Sequence, residues 1–163
     1  MGQKNILVSI LINNYNNQNF LKKSIDSCLN QTYKNLEIII FDDNSTDNSL
    51  KILKKIKNTK LKKIFSTKKK QTPSISLNQF NAIKKSFLKS KGEIIFLLDS
   101  DDYFLKNKVE FIVDLFKQEK NLNFVQDNPI YFYPSKNLQI KKKPKKKYFP
   151  MHTWPYINPT STM

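Results

Sequence analysis

Short apolar runs alternate along this chain with segments whose apolar residues recur at helical spacing, and few folds accommodate that rhythm. Ile6–Ile12, Leu36–Phe41, Leu61–Phe65 and Glu93–Leu98 read as strands, mostly too apolar to have a wet face. Between the first two, Leu21, Ile25, Cys28 and Leu29 mark a helix over about residues 19–30. Leu50, Leu53 and Ile56 mark a second, which Thr46 or Asp47 is placed to cap. A third runs from the polar stretch 66–74 to Lys91, with Phe80, Ile83, Phe87 and Leu88 as its apolar face and Gly92 as its C-terminal glycine. Asn107 and Glu110 have capping-box spacing ahead of a fourth, carrying Val109, Ile112, Val113 and Phe116. Beyond Lys120 the rhythm fades. Leu122–Gln126 and Ile130–Tyr133 read as strands, Lys141–Lys147 as a charged loop, and prolines 150, 155 and 159 break up the remainder.

Strands alternating with helices imply an α/β fold, a mainly parallel sheet covered on both faces. The chain's 163 residues suit one domain of ordinary size. In such sheets ligands bind beyond the carboxyl ends of the strands. Three strands here run into polar clusters: Asn13–Asn17, Asp42–Asp47 and Asp99–Asp102. Parallel strands bring all three to one edge.

Composition removes several function classes. No apolar run approaches the ~20 residues of a membrane-spanning helix, and Met1–Asn5 carries no apolar leader. One cysteine, Cys28, and one histidine, His152, exclude an internal disulfide and a Cys/His zinc site. These features place the chain in the cytoplasm. The net charge of +16 suggests nucleic acid, but every one of the 29 basic residues is lysine. Arginine is the usual reader of guanine edges and bidentate phosphates, so no nucleic-acid partner is expected. Abundant Lys, Asn, Ile and Phe is also what AT-rich codons produce whatever the function. Only Gly2 and Gly92 are present, so neither a dinucleotide-binding glycine loop nor a P-loop can be built.

Asp99-Ser100-Asp101 is the sharpest local feature, three of four consecutive residues being Asp in a chain with only 13 acids. Two carboxylates at i and i+2 can converge on one hard cation, Mg²⁺ or Mn²⁺, that takes phosphate oxygens as further ligands. An acidic turn capping the next helix is the plainer reading. Asp42-Asp43 is similarly two-sided: one carboxylate can start a turn while the other accepts from a ligand N–H, such as uracil N3–H. Lys68-Lys69-Lys70 reads as a solvated loop or as a phosphate contact.

Four stretches together resemble a family 2 glycosyltransferase of the GT-A fold. They are Val8–Asn16, Ser27–Tyr33, Glu37–Asp47 and Lys91–Asp102, in the family's order. The resemblance implies a Rossmann-like, three-layer α/β/α domain over residues 5–163, partial at its C-terminal side. Residues 136–163 would be poorly ordered or begin an acceptor-side region. It implies a nucleotide-sugar donor, a UDP-sugar by the base contact, held by Asn13, Tyr15, Asp43 and Asp99. Asp99 and Asp101 would bind Mg²⁺ or Mn²⁺. The acceptor, whether sugar, lipid-linked or protein, stays open, as does peripheral association with the inner face of a membrane. Where family members carry Pro-Thr this chain has Asn13-Asn14, and Gln79-Phe80-Asn81 stands in place of Ala-Arg-Asn. The family's general base, an Asp or Glu, lies well downstream of the D-x-D; no residue here sits in a recognisable motif of that kind, and Glu119 and Asp127 are left open. The implied activity is inverting sugar transfer; the alternative is a module that holds a nucleotide-sugar, or docks a partner, without catalysing transfer.

Overall fold

A computed structural model of the chain describes residues 5–66, 74–126, 130–133 and 138–141. Two compact units are present, one running to Val113 and the other from Asp114. The first is built on a four-stranded parallel sheet: β1 (Val8–Asn14), β2 (Leu36–Asp42), β3 (Leu61–Phe65) and β4 (Ile94–Asp99), in spatial order β3-β2-β1-β4. Helices α1 (Gln18–Leu29), α2 (Ser49–Lys55) and α3 (Ile75–Phe87) connect them in turn, and α4 (Lys108–Gln118) follows β4. The second unit contains an antiparallel pair, β5 (Ile130–Tyr133) and β6 (Leu138–Lys141). Ile130–Tyr133 is thus a strand as the sequence suggests. Leu122–Gln126 is not, and Lys141 closes β6 rather than opening a loop. Lys68–Lys70, Asp127, Lys142–Lys147 and His152 lie outside the described residues.

The central strands are buried along their whole length because they are apolar on both sides. Val8, Ile10, Ile12, Ile38, Ile39 and Ile40 have no exposed surface. Right-handed crossovers put α1 and α2 on one face, where they touch; α3 crosses back toward β4 and packs against β1 and β2 on the other. Chain order reverses between β1 and β4, the switch point where such sheets open a crevice.

Three local expectations are corrected by contacts distant in sequence. Helix α3 ends at Phe87, and Gly92 does not cap it or adopt a left-handed conformation. Gly92 is instead pressed against β1: its N–H donates to Ser9 Oγ at 2.8 Å, and a Cβ there would sit 2.4 Å from Ser9 N. The inward face of α3 is also not the expected one. Ala82 and Ser86 are buried, while Phe80, Phe87 and Leu88 face out. The start of α4 is held by the buried Gln31, whose Oε1 accepts from Val109 N at 3.0 Å and whose amide donates to Ser27 O and Leu105 O. Glu110 is engaged by Thr32 Oγ1.

At the end of the sheet opposite the polar clusters, Glu37 binds three groups. Ser9 Oγ donates at 2.7 Å, Lys91 N at 2.6 Å and Lys62 Nζ at 2.5 Å. Burial pushes this carboxyl up, but the hydrogen bonds from Lys62, Ser9 and Lys91 outweigh it and hold the group below its ordinary range. A depressed folded-state value stabilises the fold above the unfolded-chain value, and that stability is lost as pH falls through the folded one. Glu37→Gln is therefore expected to lower stability at neutral pH by about 1 kcal/mol, the difference between charged and neutral hydrogen bonds. Urea denaturation against pH should show the gap to the native chain closing below about pH 4. A gap independent of pH would mean that the charge contributes nothing.

Candidate functional site

Strands β1, β2 and β4 each carry a polar residue at the last position, so the site is built on the ends of sheet strands. Asn13 and Asn14 end β1, Asp42 ends β2 and Asp99 ends β4. Register places Asn13 beside both Phe41 and Asp99, and Asn14 beside Asp42. Side chains alternate along a strand, so Asn13 and Asp99 share one face of the sheet and Asn14 and Asp42 the other.

Asp42 settles the ambiguity of the Asp42-Asp43 pair. Its side chain is fully buried and receives Asn14 Nδ2 at 2.7 Å, Ser45 Oγ at 2.8 Å and Ser45 N at 2.9 Å. It is the turn former, and Asp43 is released to face the cleft. Ser45 Oγ in turn accepts from Asn16 N, and Asn16 Oδ1 accepts from Thr46 N at 2.7 Å. Asn16 and Asn44 both have positive φ, 54° and 62°, a conformation Asn tolerates better than most residues. Asp47 accepts from Gln18 N and from Ser49 N, each at 2.8 Å, so one carboxylate serves the first turns of α1 and α2. These bonds outweigh the desolvation of Asp47 and hold it below its ordinary range. Asn17 Nδ2 donates to Ser100 Oγ at 2.8 Å, tying the first loop to the D-x-D turn.

The loops so joined enclose a cleft of about 360 Å³ lined by Asn13, Asn14, Tyr15, Asn17, Asp43, Asn78, Gln79, Ala82, Asp99, Ser100 and Asp101. All five residues singled out in the sequence line it. The additions are informative. Asn78 and Gln79 come from α3, and Gln79 Nε2 donates to Asp99 Oδ1 at 2.9 Å from the segment that departs from the family's Ala-Arg-Asn. That alignment was the one available signal for Gln79. Asn17 and Ser100 lacked any, because their pairing spans 83 residues.

The cleft is rich in acceptors. Asn13 Oδ1 and Asn14 Oδ1 are buried without a hydrogen-bond partner, which normally costs enough to demand one from a ligand or water. Its charged side chains are Asp43, Asp99 and Asp101. Burial raises the Asp99 carboxyl above its ordinary value and the nearby Asp101 adds to this, while the bond from Gln79 opposes it. Two carboxylates in repulsion, with hard oxygen donors, fit a divalent cation that completes its shell elsewhere. Among the described residues no three acidic, His or Cys side chains form a self-sufficient metal site.

The glycosyl transferase family 2 model matches residues 9–162, and the chain belongs to that family. It is 37% identical over 75% of its length to an uncharacterized glycosyltransferase of Haemophilus influenzae, covering 43% of that protein. It is 38% identical over 70% of its length to the Escherichia coli UDP-Glc:alpha-D-GlcNAc-diphosphoundecaprenol beta-1,3-glucosyltransferase WfaP, again covering 43%. The chain thus spans under half the length of these relatives. Among solved structures, Staphylococcus aureus TarS 1-349 in complex with UDP superimposes with a TM-score of 0.60 at 22% identity, over 69% of this chain and 32% of that one. The Pyrobaculum calidifontis mannosyltransferase PcManGT, in complex with GDP-Man and Mn²⁺, gives 0.60 at 16% identity, over 80% and 36%. Both show the GT-A fold expected from the sequence.

Asp42→Ala strips the acceptor from three donors in a buried position and is expected to cost about 3 kcal/mol, at the upper end for unsatisfied buried groups. Chemical denaturation would measure it. A loss under about 0.5 kcal/mol, the level of an ordinary surface substitution, would show that the loops hold without this carboxylate.

Proposed function

We propose that this chain holds the donor of a sugar-transfer reaction, a UDP-sugar, in the cleft beyond β1, β2 and β4. The observation that carries the reading is the concentration of acceptors in that cleft. Unpartnered amide oxygens of Asn13 and Asn14 stand beside Asp43 and the Asp99/Asp101 pair. The former suit the N–H and O–H donors of a uracil and a ribose. A diphosphate, however, is an anion and is repelled by three carboxylates. A divalent cation held by Asp99 and Asp101 would resolve the conflict.

In this reading Asp43 accepts from the uracil N3–H, with Asn13 beside the base. Tyr15, about half exposed at the cleft mouth, offers its ring as a platform. Asp99 lies by the ribose and, with Asp101, would hold Mg²⁺ or Mn²⁺; Gln79 donates to the Asp99 carboxylate. A cation held there would supply Lewis-acid stabilisation of the negative charge on the leaving UDP. An acceptor hydroxyl, relieved of its proton by a base, attacks the anomeric carbon as the carbon–oxygen bond to the diphosphate breaks, which inverts the centre. The chain's own part in this reading is to bind and orient the donor, and no described residue is assigned as the base. The family, the UDP-Glc in the name of the E. coli relative, and the UDP and Mn²⁺ in the structural neighbours support this reading.

Calorimetric titration with UDP tests the cation. Affinity is expected to fall at least about tenfold when Mn²⁺ is replaced by chelator, because two carboxylates alone repel the diphosphate. Equal affinity in chelator would remove the metal role.

Asp43→Ala is expected to weaken UDP binding by about 1–3 kcal/mol, the scale of a hydrogen bond to a charged acceptor, with the Mn²⁺ dependence retained. A variant that binds as the native chain does would place the base elsewhere in the cleft.

A further inference from the structure

Helix α3 presents its larger apolar residues to water. At 100° per residue, positions 77, 80, 84, 87 and 88 share the side opposite the buried Ala82 and Ser86. Four of those five are large and apolar: Leu77, Phe80, Phe87 and Leu88 are 46%, 59%, 54% and 69% exposed. The fifth is Lys84, and Lys85, Lys89 and Lys91 follow it. Single exposed apolar residues are ordinary; four along one helix face form a patch of the kind that marks an interaction surface.

Charge indicates what covers it. Along α3 and the turn after it, residues 74–92, the sequence has four lysines, Lys84, Lys85, Lys89 and Lys91, and no Asp or Glu. The acids nearest to it in sequence are Asp47 and Glu93. Two copies of the chain meeting face to face here would bring like charges together. An anionic bilayer meets both demands at once. Phenyl and leucyl side chains enter the acyl boundary, while lysines extend along it to the phosphates.

We propose that the outer face of α3 docks on the surface of an anionic lipid bilayer. The helix lies in the plane of the interface and does not span it. Because Asn78 and Gln79 on the same helix line the cleft, docking brings the cleft close to the membrane. The surface is separate from the nucleotide contacts, so either assignment can fail without the other.

The test is flotation with vesicles of phosphatidylcholine containing phosphatidylglycerol, and of phosphatidylcholine alone. The chain is expected to float with the anionic vesicles only, and less at high salt. The pair Phe80→Gln and Phe87→Gln keeps every charge and should reduce partitioning by about tenfold or more, with circular dichroism and UDP binding unchanged. Leu77→Gln with Leu88→Gln provides a second pair on the same face. Asp43→Ala should float as the native chain does. No flotation with anionic vesicles would overturn the proposal. So would equal flotation of both glutamine pairs, which would leave lysine charge alone as the cause. A dimer in the native chain that the glutamine pairs dissolve would assign the face to a second copy instead.

Discussion

The buried carboxylate of Asp42 is the point on which the site depends. It ends β2, and it is reached by the Asn14 amide from the neighbouring strand and by two groups of Ser45 from its own loop. A charged group with no exposed surface is tolerable only when its oxygens are so occupied. The cost of leaving them unmet therefore fixes the ends of β1 and β2 relative to one another and curls the second loop back. Asp43 N then donates to Asn14 O at 2.9 Å, and Asn16 closes over Ser45 and Thr46. Asp43 faces the cleft because its neighbour cannot.

Electrostatics divides the molecule sharply for so basic a chain. Lysine outnumbers acid more than two to one, yet the charged residues lining the cleft are all aspartates. A site for a diphosphate could have used some of those lysines. In the proposed reading, carboxylates placed there would make donor binding depend on a cation. The raised Asp99 carboxyl expresses the same conflict: burial and Asp101 both disfavour its charge, and only Gln79 supports it. The Gln79 amide relieves less of it than a full positive charge would.

Much of the architecture was legible in the sequence because the signals were local. Strands β1 to β4, the D-x-D turn and the convergence of three polar clusters follow from apolar runs and the rule for parallel sheets. The strand ends were set one or two residues short, since Asn13, Asn14, Asp42 and Asp99 look like loop residues by composition. They are strand residues because neighbouring strands extend the ladder through them. What escaped was whatever depends on distant partners. Gly92 resembles a helix cap until Ser9, 83 residues away, is seen to occupy the space of its missing Cβ. Gln31 has no local sign of being a helix cap. Local signals left the Asp42 and Asp43 roles open, and only the family resemblance singled out Asp43; the structure shows that Asn14 reaches Asp42.

The misread face of α3 has a physical cause that reaches into function. The periodicity of Phe80, Ile83, Phe87 and Leu88 is genuinely helical, and burial normally selects the apolar side. Here the inward positions are Ala82 and Ser86, both small. Small residues let a helix settle close onto a sheet. A Phe in place of Ala82 would hold α3 off the sheet and carry Gln79 away from Asp99, to which its amide donates at 2.9 Å. A cation over the ring of Phe41, with Lys85 Nζ 5.0 Å from its centre, lies on the same contact. Bringing polar side chains from α3 to the cleft thus requires the small residues inside, and the large apolar ones are left with only the outer face. Their exposure costs nothing in the placement of Gln79, and it leaves them available to bind another surface.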